Sequence, residues 1–299
     1  MELLQLHYFR TVAKYEHMTK AAEALRIAQP ALSKTISRLE EDVGVPLFDR
    51  NNRQIRLNRY GRAFLQQVEI ALGALDEGRR ELADMLGTEQ GTIRLATPTL
   101  SRLSSTISEF RKENPEIVFR VTQIPPASSS DMIGLLERGD VDLCFIAAPL
   151  NQSWIKEQIV WKTEVYLAVP VTNPLASRDT ITLIETENEA YIEYHAGHPF
   201  RQINEAFCEE AGISRTIICE VDEPSALWSL VQAGLGVAFV PHNTNEDPNV
   251  KLLQIQSPVC EREFSIAWND RRYLSLASRQ YLEFLQSYDR HDKRQIKTT

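Results

Sequence analysis

No run of about 18 consecutive apolar residues occurs in the 299-residue chain, so no segment of it reads as a membrane span. Its first residues do not place a basic stretch before an apolar core, and no secretory leader is expected. Cysteine is scarce. Cys144, Cys208, Cys219 and Cys260 stand far apart with no CxxC spacing, and Cys144 lies inside the apolar run Leu143-Cys144-Phe145-Ile146. They are expected to be reduced, mostly buried thiols in a cytoplasmic protein, with no resolving cysteine nearby to make a redox pair. Also missing are a Gly-rich phosphate loop, a GxSxG turn, a zinc-spaced His/Cys set and a convincing nucleophilic triad. His195 and His198 are three apart in an expected loop with no third ligand in sight, which does not make a metal site. Neither an enzyme nor a cofactor is indicated.

Excess positive charge is absent too: the formal net charge is −8, which argues against a general nucleic-acid coat protein. The charge is uneven, however. Residues 1–62 hold 11 Lys+Arg against 7 Asp+Glu, a balance of +4, which leaves −12 for the remainder. A modestly basic module on an acidic body fits local, specific contact with DNA, the rest being repelled by phosphate. With 43% hydrophobic and 25% charged residues, the composition is that of a soluble globular protein, and the length suits two domains and a linker.

The basic module carries the clearest pattern. Thr19-Lys20-Ala21-Ala22-Glu23-Ala24-Leu25 reads as a short alanine-rich helix with Thr19 at the N-cap. After Arg26-Ile27-Ala28, Gln29-Pro30 opens a second helix, proline being well suited to a first turn. In that helix Leu32, Ile36, Leu39 and Val43 form one apolar stripe. Pro30, Ser33, Lys34 and Ser37 form a second stripe of the same period, centred roughly 140° away. Burying the first stripe offers short hydroxyls and a cation on the second, which suit base edges and phosphates in a major groove. Alone, such a helix could equally be a surface helix with an ordinary polar face. The segment from Asp49 to Leu57 separates the two readings. It reads as two short extended arms around an Asn-Asn turn, with Arg50, Arg53, Arg56 and Arg59 placed for phosphate and minor-groove contact. Helix, turn, helix and basic hairpin make a winged helix-turn-helix.

The N-terminal helix MELLQLHYFRTVAKYEHM, then TKAAEAL, AQPALSKTISRLEEDVGVPLFDR and the closing LNRYG, closely resemble the LysR-type bacterial transcriptional regulators, most specifically over residues 2–62. Matched position by position, the resemblance implies that Gln29, Pro30, Ser33 and Lys34 face bases and nearby phosphates, that Thr19 touches backbone, and that Arg53 is the wing residue. Many family members have arginine where this chain has Lys34, and lysine lacks arginine's bidentate fork to guanine.

From about Tyr60 to Leu86 there is no proline, and Leu65, Val68, Leu72, Leu75, Leu82 and Leu86 follow heptad spacing with Arg79 at the remaining seam position. About 27 residues of helix rise about 40 Å. The pattern predicts a dimerising coiled coil, the alternative being an amphipathic helix packed on its own domain. Arg79 favours the dimer seam, where its head can stay in water. Gly87 to Gly91 then reads as a helix stop and hinge.

Beyond Gly91 strands and helices alternate, which predicts parallel sheets covered on both faces. Expected strands begin at Thr92, Val118, Val141, Glu164, Ala190, Thr216 and Val237, and Leu274–Tyr288 is expected to be a C-terminal helix. The expected domains are a winged helix-turn-helix at 1–59, a linker helix at 60–90 and an α/β effector-binding domain at 91–299. The last resembles the two-lobed type 2 periplasmic binding protein fold, with lobe I at 91–162 and 268–299 and lobe II at 163–267. Its hinge crossings are expected near Thr163–Leu167 and Glu263–Ala267. Ligands of such folds sit beyond the carboxyl ends of strands, where helix N-termini favour anions. The hydroxyl-rich segments 97–102 and 125–130 fall there, although hydroxyls also serve simply as helix caps. Matching family positions implies Thr99, Leu100, Ser101 and Ser129 on the first lobe's side of the cleft. It implies Ala147 and Ala148 on the interlobe face and His198 and Phe200 from the second lobe.

The function expected is DNA-binding transcriptional regulation modulated by a small effector, with homodimers or homotetramers, and with RNA polymerase as a partner if the chain is an activator. Three alternatives remain: a solute receptor with a helical N-terminus, an enzyme using His195 or His198 as base in the cleft, and an architectural DNA-binding protein with an unused pocket.

Overall fold

The computed structural model describes residues 1–51, 54–87, 91–98, 100, 103–125, 129–242 and 247–295, and their side chains apart from those of 50, 51, 54 and 289–295. The N-terminal module consists of α1 (Leu3–Tyr15), α2 (Met18–Leu25), α3 (Gln29–Val43), the strands β1 (Phe48–Asn51) and β2 (Gln54–Leu57), and the first half of α4 (Arg59–Leu86). Leu32, Ile36 and Leu39 are fully buried, so the apolar stripe of α3 faces a core that includes Phe9, Val12, Ala21, Ala22 and Leu47. Gly44, at φ 82°, ends α3 in the left-handed conformation that glycine adopts most cheaply. β1 and β2 pair antiparallel as a hairpin, from Phe48↔Leu57 to Asn51↔Gln54.

Two lobes follow. Lobe I contains β3 (Thr92–Thr97), α5 (Leu103–Glu113), β4 (Val118–Gln123), α6 (Ser129–Arg138) and β5 (Leu143–Ile146). β6 (Ile155–Pro170) is a 16-residue strand that runs out of lobe I into lobe II. Lobe II continues with β7 (Thr180–Thr182), β8 (Ala190–Tyr194), α7 (Pro199–Ala211), β9 (Thr216–Val221), α8 (Pro224–Gln232), β10 (Ala238–Pro241) and β11 (Val250–Ser257). β12 (Glu261–Asn269) and α9 (Leu276–Gln295) return to lobe I.

The expected parallel sheets are in fact mixed. β3 pairs parallel with β4 and β5, but β12 pairs antiparallel with both β5 and β6. The second half of β6 pairs antiparallel with β10 and β11. β11 and β12 run in the same sense, both against the long strand β6, so the returning chain adds an antiparallel strand to each lobe in turn. It also moves one expected hinge crossing. Residues 155–164 of β6 pair with β12 and residues 165–170 with lobe II strands, so the first crossing lies at Glu164–Val165, as expected. The second lies between the end of β11 at Ser257 and the start of β12 at Glu261, because Glu263–Ala267 already belong to the lobe I sheet. Lobe I thus regains the chain near residue 261, not at 268.

Each lobe buries apolar side chains on both faces of its sheet. In lobe I these centre on Phe145, Phe264 and Tyr281 on one side and Cys144, Met132 and Leu136 on the other. In lobe II they centre on Tyr191, Leu253 and Phe239, and on Tyr194, Leu227 and Val240.

Candidate nucleic-acid interface and effector cleft

α3 presents its second stripe as expected. Gln29, Pro30 and Lys34 are exposed, and Ser33 and Ser37 half-buried, opposite leucines and an isoleucine that are sealed from water. Ala28 holds the extended N-cap conformation, so the positive end of the helix dipole and its first N–H groups flank Gln29 and Pro30. Thr19 is exposed but is not the cap of α2. That helix begins at Met18 and its N-cap is His17, whose Nδ1 accepts from the Lys20 N–H at 3.4 Å. A histidine cap carries little sequence signal, whereas threonine is a common cap, which is why Thr19 reads as one.

Arg56 is exposed on β2 across from Asp49. Arg50 lies on β1 with its side chain outside the described residues, and Arg53 lies outside them altogether. Arg59 does not join the hairpin: it opens α4, and its guanidinium leans on the Tyr60 ring, 4.5 Å from the centroid.

The heptad seam of α4 is divided along its length. Val68 and Leu72 are each 2% exposed within the single chain, and Leu65 packs with them, because α1 and the rest of the N-terminal core cover that half. This corrects the expectation that Val68 and Leu72 face a second copy; Leu65 is half-buried at the edge of that core. Leu75, Leu82 and Leu86 are 47%, 61% and 74% exposed, and Met85 beside them is 73% exposed. The Arg79 head is in water, 3.8 Å from Asp76.

Another face of α4 is fixed to lobe I by charges that no sequence pattern reveals. Asp142 accepts Arg80 Nη1 at 2.7 Å, Arg94 Nη2 at 2.6 Å and the Arg94 backbone N–H at 2.9 Å. Burial alone would raise the Asp142 pKa, but the Arg94 and Arg80 guanidinium groups outweigh it and hold the carboxyl below the usual carboxylate range. Glu77 pairs with Arg272, and Asp84 accepts from Tyr273 Oη at 2.7 Å and Leu276 N at 2.8 Å. Gly73 allows this approach, since a Cβ there would stand 2.1 Å from the Arg138 carbonyl oxygen. Gly87 does stop the helix, at φ 63°, while residues 88–90 of the expected hinge lie outside the described residues.

In the effector domain β3, β4 and β5 are parallel, so the segments after them gather at one edge of lobe I. Leu100 is 40% exposed there, Ser129 begins α6 in solvent, and Ala147 is half-buried against the lobe I core. Thr99 and Ser101 lie outside the described residues. From lobe II, Phe200 at the start of α7 packs against cores of both lobes and meets Phe264 of β12 edge-on at 6.0 Å. His198 is the N-cap of α7. Its Nδ1 accepts the Phe200 N–H at 3.1 Å, and its ring stacks on Tyr194 at 4.1 Å. It is only 2% exposed, and burial first, then His195 and Arg262, push its pKa down to about 4. His198 therefore stands mainly as a neutral structural ring.

Arg262 carries no sequence signal either, since it reads as an exposed position on an alternating strand. It is buried, with its guanidinium 4.2 Å from the Phe200 centroid and Nη2 donating to Asn204 Oδ1 at 2.9 Å. Asn204 donates in turn to Glu193, which pairs with Arg215. An open cavity on the flank of lobe II is lined by Glu205, Cys208, Glu209, Ile213, Arg215 and Ile217, none of them expected site residues. Burial pushes Cys144, Cys208 and Cys260 up to about 12, 11 and 12, which suppresses the thiolate that redox chemistry requires. Among the described residues there is no cluster suited to a metal ion and no helix long and apolar enough to cross a membrane.

A winged helix-turn-helix joined by one long helix to a two-lobed α/β domain defines a one-component regulator architecture. Residues 3–62 match the family model for the bacterial regulatory helix-turn-helix protein, lysR family, and residues 86–290 match the LysR substrate binding domain. The chain belongs to the LysR family of transcriptional regulators. It is 37% identical over 295 residues to the HTH-type transcriptional regulator YybE of Bacillus subtilis strain 168, covering 96% of this chain and 99% of that protein. The structure of full-length CbnR complexed with its target DNA shares the fold at a TM-score of 0.72 and 21% identity, over 97% of this chain and 99% of that one. The effector binding domain of QuiR in complex with shikimate matches 68% of this chain and 99% of its own length, at a TM-score of 0.61 and 25% identity.

Proposed function

We propose that this regulator reads its operator with Gln29, Pro30, Ser33, Lys34 and Ser37 of α3, with Thr19 and the basic wing on flanking phosphates. A small carboxylate held between the lobes modulates that binding. The observation that carries the DNA assignment is the separation of α3 into a sealed apolar stripe and an open hydroxyl-and-lysine stripe beside a basic hairpin. For the effector, the support is the convergence of Leu100, Ser129 and Ala147 at the carboxyl ends of parallel strands, with Phe200 reaching across from lobe II. Helix N-termini at that edge favour an anion, and shikimate, the ligand of the QuiR domain, is a carboxylate. No step requires catalysis, and we place the protein in the cytoplasm, where its DNA is.

Self-association is assigned to the C-terminal half of α4, through Leu75, Leu82, Met85 and Leu86. It would set two copies of α3 against two half-sites.

The test is the Ser33→Ala/Lys34→Ala double variant in a footprinting assay on the DNA upstream of the chain's own coding region. Loss of the specific footprint with an unchanged melting curve is expected. A footprint like that of the unmodified protein removes α3's open stripe from the reading.

A further inference from the structure

The base of the wing is held in a way that follows from hairpin geometry. In a hairpin closed by Asn51↔Gln54, narrow and wide pairs alternate, so Phe48↔Leu57 is a pair whose N–H groups point away from each other. Those two donors have no partner inside the hairpin. Each is met by a carboxylate from a different helix. Glu40 of α3 accepts the Phe48 N–H at 3.3 Å and the neighbouring Leu47 N–H at 2.8 Å through the same oxygen. Glu16, the left-handed C-cap of α1, accepts the Leu57 N–H at 3.0 Å. The lowest rung of the wing thus hangs between the reading helix and α1.

We propose that Glu40 and Glu16 are positioning residues for DNA recognition, setting the angle of the wing relative to α3. Neither needs to touch a base or a phosphate, and their role rests on the reading of α3 and the wing as the DNA face. Their charge supplies the distinguishing argument. A carboxylate on a phosphate-binding module repels DNA, so removing one by charge alone should tighten binding, most of all at low salt. If the carboxylate holds the wing, removing it should instead weaken specific binding, because the wing cations lose their register on the backbone.

The experiment uses the full chain and two probes: a duplex that the wild-type protein selects from a random-sequence pool, and a non-specific duplex of equal length. Glu40→Ala is expected to lose about tenfold or more in affinity for the selected duplex. Its log K against log salt slope should fall by about one for each phosphate that the wing no longer reaches. Non-specific affinity should stay level or rise. Glu16→Ala should show the same pattern more weakly, since Glu16 holds one backbone N–H of the wing base where Glu40 holds those of both Leu47 and Phe48. Glu41→Gln, an exposed neighbour, supplies the charge control and should bind the selected duplex equally or more tightly. Glu40→Gln keeps an acceptor and should restore most of the slope without restoring the charge. If Glu40→Ala fails to fold, Glu16→Ala decides the matter from the other side of the hairpin. Selected-duplex affinity and slope in Glu40→Ala and Glu16→Ala that match those of Glu41→Gln would overturn the clamp. Failure of the wild-type chain to select any duplex would instead strike at the DNA face itself.

Discussion

Leu72 and Leu75 lie one helical step apart on the same stripe of α4, and the structure assigns them opposite fates on substitution by glutamate. Leu72 is 2% exposed in the core of the N-terminal module. Truncating such a leucine costs about 2–5 kcal/mol, and a buried carboxylate without a partner adds several more. Against a typical domain stability of about 5–15 kcal/mol, Leu72→Glu should leave the winged module largely unfolded, whatever its oligomeric state. Leu75, 47% exposed, should tolerate glutamate within about 0.5 kcal/mol in a lone chain. In a pair of helices the same change loses about half of a leucine's full burial, about 0.7–1.5 kcal/mol from each copy, and sets two negative charges face to face. At about 1.4 kcal/mol per tenfold, the dimer should loosen about tenfold to a hundredfold. Sedimentation velocity over a concentration series, paired with circular dichroism melts, separates the two effects. A Leu75→Glu chain that dimerises like the wild type refutes the seam, and a folded but monomeric Leu72→Glu chain refutes the division of α4.

The other tests concern lobe II. His198 has its pKa lowered from 6.5 to about 4, so the unfolded chain binds its proton first. Its contribution is therefore complete above about pH 6.5 and is lost as pH falls toward 4, at most about 3 kcal/mol in all. His198→Asn, which can still cap α7, should flatten the fall in melting temperature between pH 6.5 and 4.5; an unchanged slope would exclude the histidine as its source. For the cleft, a thermal-shift screen weighted toward carboxylates should find a stabilising compound, and Phe200→Ala should abolish that shift while the protein still melts cooperatively. A shift of equal size in the variant would take Phe200 out of the binding site.

Period makes the DNA face legible. Leu32, Ile36 and Leu39 recur at helical spacing and are buried where that spacing puts them, and the Gln-Pro opening and Gly44 bracket α3 as their backbone chemistry requires. The same regularity misleads in α4. A heptad says which side chains share a stripe but not whose surface covers it, so Val68 and Leu72 read like Leu75 and Leu82 although α1 already covers them. β12 reads as a hinge crossing because its alternation fits either lobe, and only pairing with residues 155–164 assigns it to lobe I. Arg262 and Asp142 are invisible for a different reason: an ionisable residue in or beside a strand looks solvent-facing unless its buried partners, distant in sequence, are known.

Those distant partners bear on how a signal can travel. The first half of α4 is part of the winged module's core, and its second half is tied to lobe I at Asp142, Arg272 and Tyr273. Gly73 lets the α6 carboxyl end come so close that a methyl group would collide with backbone, and backbone cannot swing aside as a long side chain can. Freeing lobe I from α4 would part Asp142 from Arg80 and Glu77 from Arg272 and break both hydrogen bonds to Asp84, leaving Asp142 only Arg94 of its own lobe. A ligand supplies only its difference in affinity between two states, and typical coupling energies are about 1–3 kcal/mol. Rotation of lobe II about Glu164–Val165 and the 257–261 connection leaves those ion pairs whole, although the Arg262–Asn204 hydrogen bond and the Phe200–Phe264 contact join β12 to α7 and must adjust. Within one chain, movement of lobe II is therefore the movement that keeps the winged module, α4 and lobe I together as one frame.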